Sequence, residues 1–593
     1  MTRIPLRPLA RILNARASGE NPDLIERENI ARRHEAMRDK QRHQAEGRLV
    51  VMAVVFTVAF SVVGMQNFKL AATEPTEPRA AVSTSPIAAQ RADITDRNGR
   101  VLATNLLTYS LYAQPHLMTD KERSASELAA IFPDLKEEDL LRRFNSSIKF
   151  MWIKKKLSPE QKQAVHDIGD PGLLFGPREM RLYPNGRLAA HVLGGTSFGR
   201  EGVHSAEVIG TAGIERAFDE RLRDPARPDP LKLSIDLTVQ SAVRQVLYGG
   251  MKIMNAKGAT AVLMDVRTGE VISLTSLPDF DPNDRPQPAL QGDPSDSPLF
   301  NRAVQGVYEL GSTFKVFAAA QALDLGLANP DTLYATKGPL TWGRYRIRDF
   351  HDYGPELSVT DIIVKSSNIG TARIAMQITG ARQKPFLASL GLLEATPIEL
   401  SEAPSGRPLT PERWSEISTM TISYGHGIST SPVHLAAAYA SILNGGTRVK
   451  PTLLRRDAPQ KGDRVVSQKT SAAMGGILRQ VVSRGTASQG DVEGYAVGGK
   501  TGTADKPKPR GGYYKDRVIA TFASAFPSHD PKYVLIVTLD EPTETSGTKP
   551  RRTAGWTAVP VAAEIIRRAA PLLGLRPEIE PDKAFEVTRV SSN

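Results

Sequence analysis

Cysteine is absent from all 593 residues. Its absence excludes a disulfide framework, a thiolate nucleophile and any cysteine-ligated zinc or iron–sulfur cluster. Histidine is sparse, and no two histidines stand in H-E-x-x-H spacing, so no histidine-based metal site is expected. A calcium loop fails as well: Asp279-Phe280-Asp281-Pro282-Asn283 opens like one, but Asp284 stands where glycine is needed and Leu290 where the bidentate glutamate belongs. The formal net charge of +12 comes without a long basic run, and +4 of it lies in the first 48 residues. The rest is spread thinly, which reads as a solvated surface and not as a nucleic-acid-binding patch. With 40% hydrophobic and 24% charged residues the chain is globular and not disordered, and its length fits three or four structural units.

One long apolar run is present. Leu49 to Met65 carries no charge, and extension to Phe68 adds only Gln66 and Asn67 as strongly polar residues. About twenty helical residues span the ~30 Å hydrocarbon core of a bilayer. Arg32, Arg33, Arg38, Lys40, Arg42 and Arg48 precede the run, whereas only Lys69 and Arg79 follow it before residue 90. The positive-inside rule then puts residues 1–48 in the cytoplasm and the bulk of the chain outside. The charged region is too long for an ordinary signal peptide and no clean A-x-A follows, so an uncleaved anchor is expected. The alternative is a buried helix of a soluble domain.

Beyond the anchor, residues 69–90 are rich in Pro, Thr, Ser and Ala and read as a linker. Alternating residues around Asn98-Gly99 predict a hairpin, and the Gly-rich segment from Pro184 to Gly213 reads as loop. From Leu231 onward strand and helix signals alternate. A strand LKLSI precedes a helix from about Thr238, and two strands flank a turn at Thr268-Gly269. Near the C-terminus RVIATFASAF and KYVLIVTL read as strands, followed by a helix around Val559–Ala570. Strands at both ends with helices between them imply an α+β domain whose sheet is completed by distant segments.

Three short motifs carry chemistry. Ser312-Thr313-Phe314-Lys315 fits S-x-x-K at the head of an apolar helical stretch, where i and i+3 share a face and the lysine amine can reach the serine hydroxyl. A serine needs such a base because its hydroxyl is a weak nucleophile, and burial or nearby positive charge equips lysine for the task. Ser366-Ser367-Asn368 fits S-x-N, and Lys500-Thr501-Gly502-Thr503 fits K-T-G-T. In the latter, glycine permits close approach of a substrate backbone along a strand edge, and the lysine and hydroxyls could hold a carboxylate. Each has a bland reading: a helix-start serine, a turn, a loop before a strand. Two have decoys, Ser146-Ser147-Ile148-Lys149 and Ser591-Ser592-Asn593. Their order, with gaps of 54 and 134 residues, makes coincidence a poor account. A competing G-x-S-x-G at Gly195–Gly199 lacks the strand-to-helix context of a nucleophile elbow.

With these motifs in order, the sequence resembles the class B penicillin-binding proteins, and among them the division-specific transpeptidases. Further similar stretches are Arg91 to Ala103, Arg181 to Gly186, His191 to Gly194, Gly213 to Glu215, Leu277 to Asn283 and Ser423 to Gly427. Ala92 replaces a usual glycine, Leu310 a common proline, and Ala554-Gly555 a Gly-Gly pair. The resemblance implies a cytoplasmic tail (1–48), a transmembrane anchor (49–68), a linker (69–86), an elongated pedestal of the dimerisation type (87–240), a transpeptidase domain (241–575) and a tail (576–593). The transpeptidase domain would be an antiparallel sheet flanked by helices, with a helical subdomain.

The activity implied is cross-linking of peptidoglycan stem peptides ending in D-Ala-D-Ala, at the division septum of the inner membrane, with β-lactams as inhibitors. Ser312 would attack, Lys315 would take its proton, and Ser366 would relay a proton to the leaving amine. Asn368 would bind a substrate amide, and Lys500, Thr501, Gly502 and Thr503 would hold the terminal carboxylate. The substrates would be peptidoglycan and lipid-II-derived strands. An FtsW-type glycosyltransferase and other division proteins would be partners, and no metal, cofactor or nucleic acid is implied. No E-x-x-L-N segment of the kind that activates a deacylating water is present. The alternatives are an elongation-type transpeptidase, a hydrolase of the same fold and a non-catalytic membrane β-lactam sensor.

Overall fold

The computed structural model describes residues 7–72, 91–201, 206–288, 290–508 and 511–578, and two units are described separately. In the first, Arg7–Ser18 and Pro22–Ala72 are helices, and the second contains one stretch, Glu46–Phe68, long and apolar enough to cross a membrane. Lys69 to Ala72, expected in the linker, continue the helix. Nothing in Lys-Leu-Ala-Ala disfavours it, since all three residue types are good helix formers. The rest of the expected linker up to residue 90 lies outside the described residues, as do residues 579–593, which include the Ser591-Ser592-Asn593 decoy.

The second unit begins with a sheet organised by the 13-residue strand Val101–Ala113, which pairs antiparallel with Leu173–Leu182, Met151–Leu157 and the short strand Ile94–Thr95. Its far end packs on a core of its own built from Leu111, Leu128, Phe132, Phe144 and Val165. The turn at Asn98-Gly99 forms as expected, because the Asp96 carboxylate accepts from the N–H groups of Asn98 and Arg100 at 2.8 and 2.9 Å. The same carboxylate accepts from Leu237 N–H at 3.1 Å and so grips the first helix of the following part.

The segment 184–213 is not loop. It forms a 3-10 turn, a short helix and an antiparallel ribbon, Gly195–Glu201 with Ala206–Ala212. Its glycines mark close backbone approach within paired structure: a Cβ on Gly194 would lie 2.1 Å from Ala212 O. The G-x-S-x-G match therefore sits in a ribbon strand, without the helix an elbow requires. The resemblance-bearing stretches 181–186 and 277–283 meet here, with Asn283 and Tyr183 exchanging two hydrogen bonds of 2.9 Å.

The remainder is built on one five-stranded antiparallel sheet. Its strands are β1 (Gly258–Asp265), β2 (Val271–Leu277), β3 (Gly498–Pro507), β4 (Tyr513–Phe526) and β5 (Tyr533–Asp540), in spatial order β3-β4-β5-β1-β2. The two strands around Thr268-Gly269 and the two near the C-terminus are present as expected, whereas LKLSI yields only the two-residue strand Leu231–Lys232, which pairs with Ile94–Thr95 outside this sheet. The sheet is completed by segments more than 200 residues apart. Every position of β2 and nearly every one of β1 and β5 is buried, so helices cover both faces. Helices α1 (Leu237–Ile253) and α7 (Ala558–Leu572) pack against the sheet as a close pair. A Cβ on Gly250 of α1 would stand 2.6 Å from Val561 of α7. Helices α2 (Lys315–Asp324), α5 (Pro432–Leu443) and α6 (Gln468–Arg484) form another group, and α5 is buried at every residue. Beside them stands a smaller helical cluster with α3 (Val359–Lys365) and α4 (Asn368–Ile378). The expected α+β fold with an antiparallel sheet and a helical subdomain is what forms.

Candidate active site

All three motifs line one cleft of about 660 Å³. Ser312 sits in the 3-10 turn Gly311–Phe314 that leads into α2. Lys315 follows the turn as the first residue of α2, three positions after Ser312. Backbone contacts on two sides hold the turn. Gly502 on β3 lies under it, since a Cβ there would come 2.2 Å from Leu310 O and 2.9 Å from Thr313 Cγ2. Gly425, at φ +79°, closes the other side, where a Cβ would fall 2.0 Å from Gly311 O. Behind the turn, Tyr439 Oη of α5 donates to Thr313 O at 2.8 Å, and Phe314, Phe317 and Tyr439 stack edge to face.

Ser366 is placed by strain. It ends α3 in the left-handed region, at φ 64° and ψ 44°, which a serine adopts only at some cost. Ser367 then caps α4, its Oγ accepting from Gly370 N–H at 3.0 Å. Asp349, which the sequence reading did not single out, anchors this corner. Its carboxylate accepts from Ser367 Oγ at 2.6 Å and from the N–H groups of Asn368 and Ile369 at 2.5 and 3.0 Å. A carboxylate at a helix N-terminus is favoured by the unpaired N–H groups and the dipole there. Asn368 Nδ2 donates to Arg348 O at 3.0 Å.

The Lys-Thr-Gly-Thr segment is part of an edge strand, not a loop before one, with Lys500 opposite Ala523 and Thr503 opposite Ala520. Thr501 shares a 2.8 Å hydrogen bond with Thr486, and Thr503 Oγ1 accepts from Ala554 N–H at 3.0 Å. Among the described residues the other edge of β3 has no partner strand.

At the centre Ser366 Oγ lies between two fully buried lysines, at 3.1 Å from Lys315 Nζ and 3.0 Å from Lys500 Nζ. Lys315 also donates to Ser366 O at 2.5 Å, and Lys500 to Thr501 O at 3.1 Å. The Lys315 amine, expected to reach Ser312, is thus held by Ser366 in this geometry. Neither lysine has a carboxylate within ion-pair distance among the described residues. Burial, reinforced by Lys500 and opposed by Asp349, holds Lys315 well below the usual lysine range. Burial pushes Lys500 down to about 7. The decoy at Ser146 lies elsewhere, exposed in a turn where its Oγ donates to Arg143 O at 2.7 Å.

A serine-bearing turn and two buried lysines gathered at one cleft beside the edge strand of an antiparallel sheet suit serine acyl transfer. The chain belongs to the penicillin-binding protein transpeptidase family. It matches the penicillin-binding protein transpeptidase domain over residues 259–567 and the penicillin-binding protein dimerisation domain over residues 86–225. A probable peptidoglycan D,D-transpeptidase FtsI of Caulobacter vibrioides is 36% identical, covering 83% of this chain and 82% of the relative. The peptidoglycan D,D-transpeptidase FtsI of Escherichia coli is 28% identical over 77% of this chain and 80% of its own length. Among solved structures, penicillin-binding protein 3 of Mycobacterium tuberculosis, complexed with aztreonam, superposes with a TM-score of 0.63 at 25% identity. It covers 83% of this chain and 98% of its own. The resemblance read from the motifs is borne out.

Proposed function

We propose that the chain cross-links peptidoglycan stem peptides ending in D-Ala-D-Ala through an acyl-enzyme on Ser312, and that β-lactams acylate the same hydroxyl. The observation that carries this reading is the pair of hydrogen bonds from Lys315 and Lys500 to Ser366 Oγ, one residue group drawn from each motif, beside Ser312.

The hydrogen-bond inventory supports a division of labour. A neutral Lys315 amine has two N–H bonds, both directed to Ser366, and its lone pair stays free for the proton of Ser312. Ser366 Oγ accepts from both lysines, so its own O–H is free to donate to the leaving amine. The Ser312 oxygen bonds to the penultimate D-Ala carbonyl carbon and the C–N bond to the terminal D-Ala breaks. The serine proton passes through Lys315 and Ser366 to the departing nitrogen. Lys500, with Thr501 and Thr503, receives the terminal carboxylate, Gly502 lets the substrate lie close to β3, and Asn368 binds a substrate amide. The backbone N–H groups of Ser312 and Thr503 stabilise the oxyanion, where one donor is worth roughly 2.7–4 kcal/mol in comparable enzymes.

The reading extends to placement. Residues 87–240 act as pedestal and 241–575 as the transpeptidase domain. The apolar helix anchors the chain in the inner membrane with residues 1–48 in the cytoplasm, as the excess of arginine before it supports. An FtsW-type glycosyltransferase and other division proteins at the septum are the partners we infer. The test is turnover of a D-Ala-terminated thioester donor by the full-length chain, with and without a D-amino acid acceptor. Acceptor-dependent product that vanishes in Ser312→Ala supports the reading. Acylation without any transfer to the acceptor favours the sensor alternative.

A further inference from the structure

Along β3 from the lysines, a second group of titratable side chains lines the same cleft and takes no part in the scheme above. Glu309, three residues ahead of Ser312, accepts with Oε1 from Gly427 N–H and from Tyr513 Oη, each at 2.9 Å. Its other oxygen faces His426 Nδ1 at 3.2 Å. The His426 side chain is 47% exposed and its ring leans on Tyr513, with centroids 5.2 Å apart. Asp505 stands two residues beyond Thr503 and so on the same face of β3. Backbone contact ties the group to the nucleophile. Gly425, next to His426, touches Gly311, next to Ser312.

Aminolysis makes a demand that acylation does not. The acceptor arrives as an ammonium, without a lone pair for attack. Once it has lost one proton, the remaining chemistry balances internally: the amine nitrogen bonds to the acyl carbon, the bond to Ser312 Oγ breaks, and the second amine proton returns to that oxygen through Lys315 and Ser366. The first proton needs another taker. With its Nδ1–H directed at the Glu309 carboxylate, a neutral His426 presents Nε2 as an acceptor, and Nε2 makes no hydrogen bond among the described residues.

We propose that His426, oriented by Glu309, removes the proton from the incoming acceptor ammonium before it attacks the Ser312 acyl-enzyme, and releases it to solvent. The inference rests on the transpeptidase reading and gives the acceptor class as a primary amine that is cationic when it binds. Glu309, Asp505 and Tyr513 are the titratable groups facing the ring. The Glu309 hydrogen bond and the charges of Glu309 and Asp505 hold the imidazole above its ordinary value against the opposing effect of burial. An imidazole can take up and release a proton in this way.

The test uses the full-length chain in detergent, a thioester donor, and two acceptors, a D-amino acid and hydroxylamine, the latter largely neutral near pH 7. In His426→Gln, product from the D-amino acid falls about a hundredfold, while the hydroxylamine product holds near the wild-type level. Raising the pH towards the acceptor's own pKa restores the loss. In Glu309→Gln the acidic limb of wild-type aminolysis moves to lower pH. Labelled penicillin reads the underlying scheme separately. If the wild type is not acylated at Ser312 or transfers to neither acceptor, the transpeptidase reading fails and this inference with it. If the wild type behaves as expected but His426→Gln loses both acceptors equally, loses penicillin acylation too, or loses nothing, the base assignment is overturned.

Discussion

Two of the places where the second unit buries charge do so in opposite ways. In the part that matches the dimerisation domain, Glu215 is fully buried between Arg91 at 2.6 Å and Arg181 at 2.7 Å, and Arg91 continues to Asp219 at 2.7 Å. The arginines also donate to the carbonyls of Glu215 and Ala92. Each buried cation there meets an anion, with further hydrogen bonds from the backbone. In the cleft, two lysines of the same sign are buried around one serine hydroxyl and supported by neutral oxygens. Paired charges of opposite sign fasten segments that are distant in sequence. Burial of like charges without carboxylate partners holds Lys315 well below the usual lysine range. Both arrangements cost desolvation, and only the first is compensated by ion pairing.

The largest expected effects separate these roles. Lys315→Met lowers the penicillin acylation rate by about a thousandfold or more, within the range for a general base, and leaves the melting temperature unchanged or higher. Stopped-flow acylation and calorimetry read the two. Glu215→Ala does the reverse. Arg181 loses its carboxylate partner and Arg91 keeps only Asp219, at a cost of about 3–5 kcal/mol, while the acylation rate per folded molecule stays at the wild-type value. Equal loss of both properties in either variant would erase the contrast.

Smaller effects sharpen it. Gly502→Ala would place a methyl 2.2 Å from Leu310 O and displace the turn that carries Ser312. Acylation falls about a hundredfold, as ångström-scale misplacement of reacting groups does, with circular dichroism unaltered. Asp349→Ala removes an N-terminal cap of α4 and costs about 1–2 kcal/mol, with a weaker loss of acylation as Ser366 and Asn368 loosen. The pH dependence is gentlest. Lys500 is charged below about 7 and loses its proton as pH rises through that value. The KM for a carboxylate-bearing donor therefore increases above about 7, and in Lys500→Met this limb disappears.

Much of this was legible in the sequence, for physical reasons that differ by region. Four strands of the large sheet, β1, β2, β4 and β5, announce themselves through apolar runs bounded by turn residues, as at Thr268-Gly269, whereas the polar, Gly-rich β3 does not. The motif residues stand out because Ser312 and Lys315 lie three apart in the chain, and Lys500 to Thr503 are consecutive on one strand. Asp349, Glu309 and His426 were not legible, because their roles arise only when loops far apart in the chain converge. Asp349 lies in Arg-Asp-Phe-His-Asp-Tyr-Gly, which has no spacing that marks a cap for a helix beginning 19 residues later. The ribbon at 195–212 was misread because glycine signals a loop and a close backbone approach alike.

The central claim is that Ser312, and not the decoy at Ser146, is the acylated nucleophile with Lys315 as its base. The most direct measurement is peptide mapping of the full-length chain after labelled penicillin, comparing wild type, Ser312→Ala, Lys315→Met and Ser146→Ala. The account predicts label on the peptide containing Ser312 in the wild type and in Ser146→Ala, none in Ser312→Ala, and a rate reduced by orders of magnitude in Lys315→Met. Label that persists in Ser312→Ala, or a Lys315→Met variant that is acylated at the wild-type rate, would contradict it.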